Sequence, residues 1–113
     1  LKRSIGAVMG TRSKDRRMHN LLTKEALLMN RDSYFDHARA LAKFDYSQEA
    51  AACATPALVI RGAKDRLISQ EQAEKTAAAL NADLKVFDHV GHALPVEDPE
   101  TFKQVVVDFD SNQ

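Results

Sequence analysis

The chain has 113 residues, enough for one domain at most and for a modest core. Its 16 Lys plus Arg balance 16 Asp plus Glu, so no electrostatic footprint for nucleic acid or an anionic membrane is visible. The longest purely apolar runs, Ala50 to Ala54 and Ala77 to Leu80, fall far short of the roughly 20 residues that span a bilayer. Leu1 stands where an initiator Met would be, and the residues after it lack the long apolar core of a signal peptide; the expectation is a chain that starts within a longer protein.

Residues 1–50 are charge-rich and helical in pattern. Met18, Leu21, Leu22, Leu28 and Met29 fall broadly on one side of a helix, and Phe35, Ala38 and Ala42 repeat at helical spacing with Ser33 as the expected cap. Arg12, Lys14, Arg16 and Arg17 suit a solvated face. No strand or repeat is visible, so this half is expected to be a helical layer without a core of its own. Cys53, the one cysteine, excludes an internal disulfide and fits a reducing, cytoplasmic setting; its alanine neighbours predict a buried structural thiol.

The period changes in residues 51–113. Ala57-Leu58-Val59-Ile60 suits a parallel strand buried on both faces, and Gly62 permits a tight exit from it. Ser69-Gln70-Glu71-Gln72 has capping-box spacing, and Ala73, Ala77 and Leu80 form the stripe of a helix ending near Asn81. Leu84 to Phe87 is a second strand, which Lys85 marks as less buried. Asp98 caps and Pro99 opens a last helix, whose apolar face is Phe102, Val105, Val106 and Phe109. The order strand, helix, strand, helix implies two parallel strands joined by a right-handed crossover, an α/β arrangement whose ligands sit beyond the carboxyl ends of the strands.

Asp65 and His92 both fall at that end. A carboxylate that accepts from one imidazole nitrogen fixes the tautomer and leaves the other nitrogen free to take a proton from a hydroxyl. Histidine suits the role of base because its pKa near about 6.5 lets it accept and then release a proton around neutrality. Either signature alone is weak, since Gly-x-x-Asp is commonly a turn and Gly-His commonly a loop. Together and in this order, Thr55-Pro56-Ala57-Leu58-Val59-Ile60-Arg61-Gly62-Ala63-Lys64-Asp65-Arg66-Leu67-Ile68 and Gly91-His92-Ala93-Leu94-Pro95-Val96-Glu97-Asp98-Pro99-Glu100-Thr101-Phe102 resemble the C-terminal part of the α/β-hydrolase family.

That resemblance implies Asp65 as triad acid, His92 as base, residues 1–50 as part of a helical cap, and residues 51–113 as the C-terminal part of the core. Ser69, where many relatives carry proline, departs from the pattern harmlessly because serine caps a helix well. The larger departure is the nucleophile elbow. Ser4-Ile5-Gly6 matches only its second half, with Lys2 in place of the first glycine, and Ser13, Ser33, Ser47 and Ser69 have no glycine context. The nucleophile and oxyanion hole are therefore expected from an N-terminal half of the fold, as a separate or cleaved chain or as sequence of which these residues are a fragment. Alone, this chain is expected to be inactive and to be unstable or self-associate.

The implied activity is Ser-His-Asp cleavage of an ester, lactone or related acyl bond in a small apolar substrate, with no cofactor, nucleic acid or membrane involved. A related reading has an aspartate nucleophile, as in dehalogenase and epoxide-hydrolase relatives; another is a binding protein without turnover. His89, His92 and Asp88 lie close in sequence but on a strand end and loop without a ligand framework, so no metal is expected and His89 is expected to be a loop residue or one that supports a site residue from behind. His19 and His37 suit structural places on cap helices. Tyr34 and Tyr46 suit core or cap packing, the alternative being hydrogen-bond donation from a cap as in epoxide-opening relatives, and Met9, Met18, Met29, Phe35 and Phe44 suit an apolar pocket lining or cap packing.

Overall fold

The computed structural model describes residues 16–112. The readings made for Lys2, Ser4, Gly6, Met9, Arg12, Ser13 and Lys14 lie outside them. The charge-rich half forms three helices, α1 (Arg16–Leu28), α2 (Arg31–Leu41) and α3 (Ser47–Ala51), and none of them has a buried residue. Met18, Leu22 and Ala26 of α1 are half-buried, but other apolar side chains face outward: Leu27, Leu28 and Leu41 are each about 70% exposed (69%, 73% and 69%). The cap of α2 is Asn30, three residues before the Ser33 expected from sequence. Asn30 Oδ1 accepts from Asp32 N at 2.9 Å and Ser33 N at 3.1 Å, which satisfies two amides of the first turn and leaves Ser33 inside the helix.

Cys53 is exposed, against the expectation of a buried thiol. The alanine run around it builds the short α3 and its C-terminal turn on the surface. Cys53 N donates to Ala50 O at 3.1 Å as that helix ends, and hydrogen bonding with Thr55 holds the thiol below its ordinary pKa. Small side chains predicted burial here, but the element they form has too few residues to sink a face into a core.

The second half follows the predicted order. Strand β1 (Leu58–Gly62) leads to α4 (Gln70–Ala79) and then to β2 (Asp83–Phe87). The two strands pair in parallel from Leu58 opposite Asp83 to Gly62 opposite Phe87. Helix α4 begins with the complete capping box: Ser69 Oγ accepts from Gln72 N at 3.1 Å while Gln72 Oε1 accepts from Ser69 N at 2.9 Å. Ala73 and Ala77 are its buried residues, and their small side chains let the helix lie against both strands. It stops where Asn81 turns left-handed at φ 50° and Ala82 N donates back to Ala77 O at 2.8 Å.

Two short helices complete the unit, α5 (Leu94–Glu97) and α6 (Pro99–Ser111), packed against each other. Asp98 caps α6 and Pro99 occupies its first turn, as read from the sequence. Val105 is buried and Phe102 and Phe109 are half-buried, but Val106 is 47% exposed, so the apolar stripe is narrower than predicted. The core consists of Ala73, Ala77, Val90, Leu94 and Val105, with Val90 at 2% exposure. Strand β1 is less enclosed than a central parallel strand, because Leu58 to Arg61 are only half-buried. Among the described residues β2 is its one neighbour, so the opposite edge has no strand to cover it.

Gly62 is buried for a different reason from the tight exit inferred from sequence: its φ is not positive. A Cβ there would overlap the carbonyl oxygens of Gly91 and Val90 and lie 2.7 Å from the Val90 carbonyl carbon. Glycine thus lets the end of β1 touch the segment after β2, backbone against backbone. Gly62→Ala is expected to destabilise the fold by about 1–3 kcal/mol or more, since the obstruction is main chain and has no rotamer to yield. A denaturant titration comparing the two proteins checks it, and an unchanged midpoint would contradict the packing account.

Candidate active site

The contact at Gly62 stitches two loops together. Ala63 N donates to Phe87 O at 2.8 Å and Lys64 N to Val90 O at 3.0 Å, extending the ladder beyond the strands. Asp65 N donates back to Gly62 O at 3.0 Å, so the chain reverses at once and its carboxylate points to the segment after β2. Asp65 Oδ1 accepts from Leu67 N at 2.8 Å and Ile68 N at 3.1 Å, an Asx-type turn that leaves Oδ2 for a partner. That partner is His92, whose Nδ1 lies 2.9 Å away. The side chains of Asp65 and His92 are 4% and 41% exposed, so the carboxylate is enclosed and the imidazole reaches outward.

Electrostatics fix the proton. Burial alone would raise the Asp65 pKa, but hydrogen bonds from His92, Ile68 N and Leu67 N, together with the charge on His92, outweigh it and hold the carboxyl below its ordinary value. An ionised carboxylate only accepts, so Nδ1 of His92 carries a hydrogen, and in the neutral imidazole Nε2 keeps its lone pair. The pair can therefore take a proton at Nε2 and stabilise the resulting imidazolium against the carboxylate. An open groove of about 340 Å³ borders it, with Val59, Ile60 and Gly62 of β1 and Leu94, Pro95 and Phe102 of the last two helices among its lining residues along with Asp65 and His92.

Further side chains hold the two loops in place, and sequence reasoning had missed two of them. Arg61 spans the base of the Asp65 loop, donating from Nε to Ile68 O at 3.1 Å, from Nη1 to Gln70 Oε1 at 3.2 Å and from Nη2 to Asp65 O at 3.3 Å. Glu97 accepts from Gly91 N at 3.1 Å and Ala93 N at 3.2 Å, on either side of His92. The only sequence signal for either was a charged residue at the edge of an apolar run.

His89 is a loop residue, as read, but it turns away from Asp65. Its Nε2 donates to Asp98 Oδ2 at 2.6 Å. Asp98 also accepts from Thr101 Oγ1 at 2.6 Å and Thr101 N at 3.1 Å, so it closes the His92 loop while capping α6. Hydrogen bonds from the Thr101 hydroxyl, His89 and Thr101 N hold its carboxyl down to about 2.

The remaining candidates lie elsewhere. Tyr34 packs edge-on against Phe35 at 5.6 Å between ring centres, and Tyr46 lies 4.4 Å from Phe44; all four are exposed. His37 Nδ1 donates to Ser33 O at 2.6 Å within α2, and His19 O accepts from Thr23 Oγ1 at 2.8 Å within α1. Among the described residues, no group of three or more His, Cys, Asp or Glu could hold a metal ion. No helix among them is long and apolar enough to cross a membrane.

The folded-state pKa values of Asp65 and Asp98 lie below those of the unfolded chain, so the stability they contribute is fully present above the ordinary carboxylate value of about 3.9. It is lost as pH falls, for Asp98 through about 2. Acid unfolding followed by circular dichroism is expected to show this loss, and Asp98→Asn is expected to shift the transition to higher pH. A variant that unfolds at the wild-type pH would contradict the role given to Asp98.

No family model matches the chain. It is similar to two bacterial proteins, each named "Putative carbamate hydrolase RutD". The one from Pseudomonas savastanoi pv. phaseolicola is 33% identical over 104 residues, which cover 91% of this chain and 39% of that protein. The one from Pseudomonas syringae pv. syringae is 33% identical over 108 residues, covering 95% of this chain and 40% of that protein. The chain thus spans about two-fifths of the length of the relatives it matches. The similarity supports a hydrolase family, and the helices with a two-stranded parallel sheet are compatible with an α/β fold.

Proposed function

We propose that this chain is the C-terminal part of an α/β-hydrolase, in which Asp65 and His92 are the acid and base of a Ser-His-Asp triad whose serine lies outside these 113 residues. The observation that carries the proposal is the 2.9 Å hydrogen bond between His92 Nδ1 and Asp65 Oδ2, at the carboxyl ends of two parallel strands. In this reading His92 Nε2 takes the proton of the serine hydroxyl as it attacks the acyl carbon. Asp65 holds the imidazole in the tautomer required and stabilises the imidazolium. His92 then returns the proton to the leaving group, and the same cycle with water frees the acyl product.

The substrate class is an ester, lactone or related small acyl compound, and the name of the two relatives adds carbamates to it. Residues 1–50 would form part of a cap and residues 51–113 part of the core. The outward apolar side chains of α1 and α2, and the edge of β1 away from β2, suit contact with an N-terminal half that carries the nucleophile and oxyanion donors. The one exposed cysteine fits a reducing cytoplasm.

Native mass spectrometry of the purified material identifies any accompanying polypeptide, and hydrolysis of a chromogenic acyl ester and a carbamate by that assembly tests the activity. His92→Ala is expected to lower turnover by about 10⁴-fold or more with the fold intact, and Asp65→Asn by about 10⁴-fold through the wrong tautomer. Near-normal hydrolysis by the folded His92→Ala protein would overturn the assignment. The 113-residue chain alone is expected to be inactive, and turnover by it would contradict an external nucleophile.

A further inference from the structure

The imidazole of His92 is 41% exposed, so packing restrains it little. Its aim at Asp65 depends on the backbone that carries it, and that backbone belongs to the loop between β2 and the four-residue helix α5. Such a loop needs its own bracing. Ala93, at the N-cap of α5, supplies no capping side chain. The amides of Gly91 and Ala93, before and at that N-cap, turn instead to a residue at the far end of the same helix.

From the structure we infer that Glu97 is a positioning residue, which clasps the peptide N–H groups on either side of His92 and thereby holds the imidazole on Asp65. Glu97 Oε1 accepts from Ala93 N at 3.2 Å, and Gly91 N is shared between Oε1 at 3.2 Å and Oε2 at 3.1 Å. Gly91 is buried, and Ala93 and Glu97 are half-buried, so an amide left without this acceptor would lose a hydrogen bond that water replaces poorly. A carboxylate is suited to the task, because hydrogen bonds to an ionised acceptor are roughly twice as strong as those between neutral groups. Glu97 N also donates to Ala93 O at 2.9 Å, so the residue is tied to the loop by main chain and side chain together. Releasing the clasp frees the backbone on both sides of His92, and a displacement of about 1 Å there is enough to cost a triad about 10²-fold in rate.

The bearing on catalysis rests on the hydrolase reading above, but the clasp itself does not and is measured without turnover. In the isotopically labelled chain, in whatever assembly it purifies, the amides of Gly91 and Ala93 are expected to be protected from hydrogen exchange, to lose that protection in Glu97→Ala and to keep most of it in Glu97→Gln. Ring nitrogen shifts of His92 are expected to show the Nδ1–H tautomer in the unmodified chain, a mixture of tautomers in Glu97→Ala, and recovery in Glu97→Gln, whose amide oxygen still accepts. His37, on α2, serves as the control and is expected to be unchanged.

Amides at 91 and 93 that exchange freely in the unmodified chain would overturn the inference, as would a folded Glu97→Ala protein that keeps the wild-type tautomer. If Glu97→Ala does not fold, hydrogen exchange at these two amides in the unmodified chain decides alone. In an active assembly, Glu97→Ala is expected to lower kcat about 10²-fold with KM little changed, and Glu97→Gln to recover most of it. Failure of hydrolysis in every variant, with the tautomer response intact, would reject the hydrolase reading and leave the clasp standing.

Discussion

The contact between Gly62 and the Val90–Gly91 carbonyls is the constraint on which the site depends. Parallel pairing brings the ends of β1 and β2 side by side, but pairing stops at Phe87, five residues before His92. What carries the alignment further is the backbone approach that glycine permits. It allows Lys64 N to reach Val90 O, and with that bond made the Asp65 turn and the His92 loop share one frame. The hydrogen bond between the two side chains is the last member of a series that begins in the sheet.

Carboxylates do most of the remaining work, each in a different way. Asp65 uses one oxygen to shape its own turn and the other to meet His92. Glu97 gathers main-chain donors, and Asp98 joins a histidine to a helix start. Arg61 complements them by gathering two carbonyls and a side-chain oxygen beneath Asp65. The loops after both strands are thus held by charge-assisted bonds, while apolar packing is concentrated around Val90, Leu94 and the alanines of α4. Such a division suits a site that must keep its geometry on the surface of a small core.

Much of this was legible in the chain because it depends on neighbours in sequence. The capping box at Ser69, the cap at Asp98, Pro99 in the first turn and the two strands follow from local chemistry, and each lies where its residues indicated. Asp65 and His92 were singled out by their position after the strands, and their side chains meet there. What was misread depends on distant partners or on competition between similar residues. Asn30 displaced Ser33 because both can cap and only the helix start decides between them. Cys53 has apolar neighbours in sequence and few in space. Gly62 is required by a carbonyl nearly thirty residues away, and the targets of Glu97 and two of the three of Arg61 are main-chain atoms, which leave no mark on residue type.

Asp98 has a bearing on how the molecule comes apart. One carboxylate holds His89, before the loop, and Thr101, in the first turn of α6. Fraying of the helix start therefore withdraws the latch of the loop, and swinging the loop out uncaps the helix. The last helix and the His92 loop are therefore expected to open together, with one opening free energy for both. A protease that cuts within residues 89–97 would sample the same rare open state as one that cuts at the start of α6, and amide exchange would report a common protection factor across the junction.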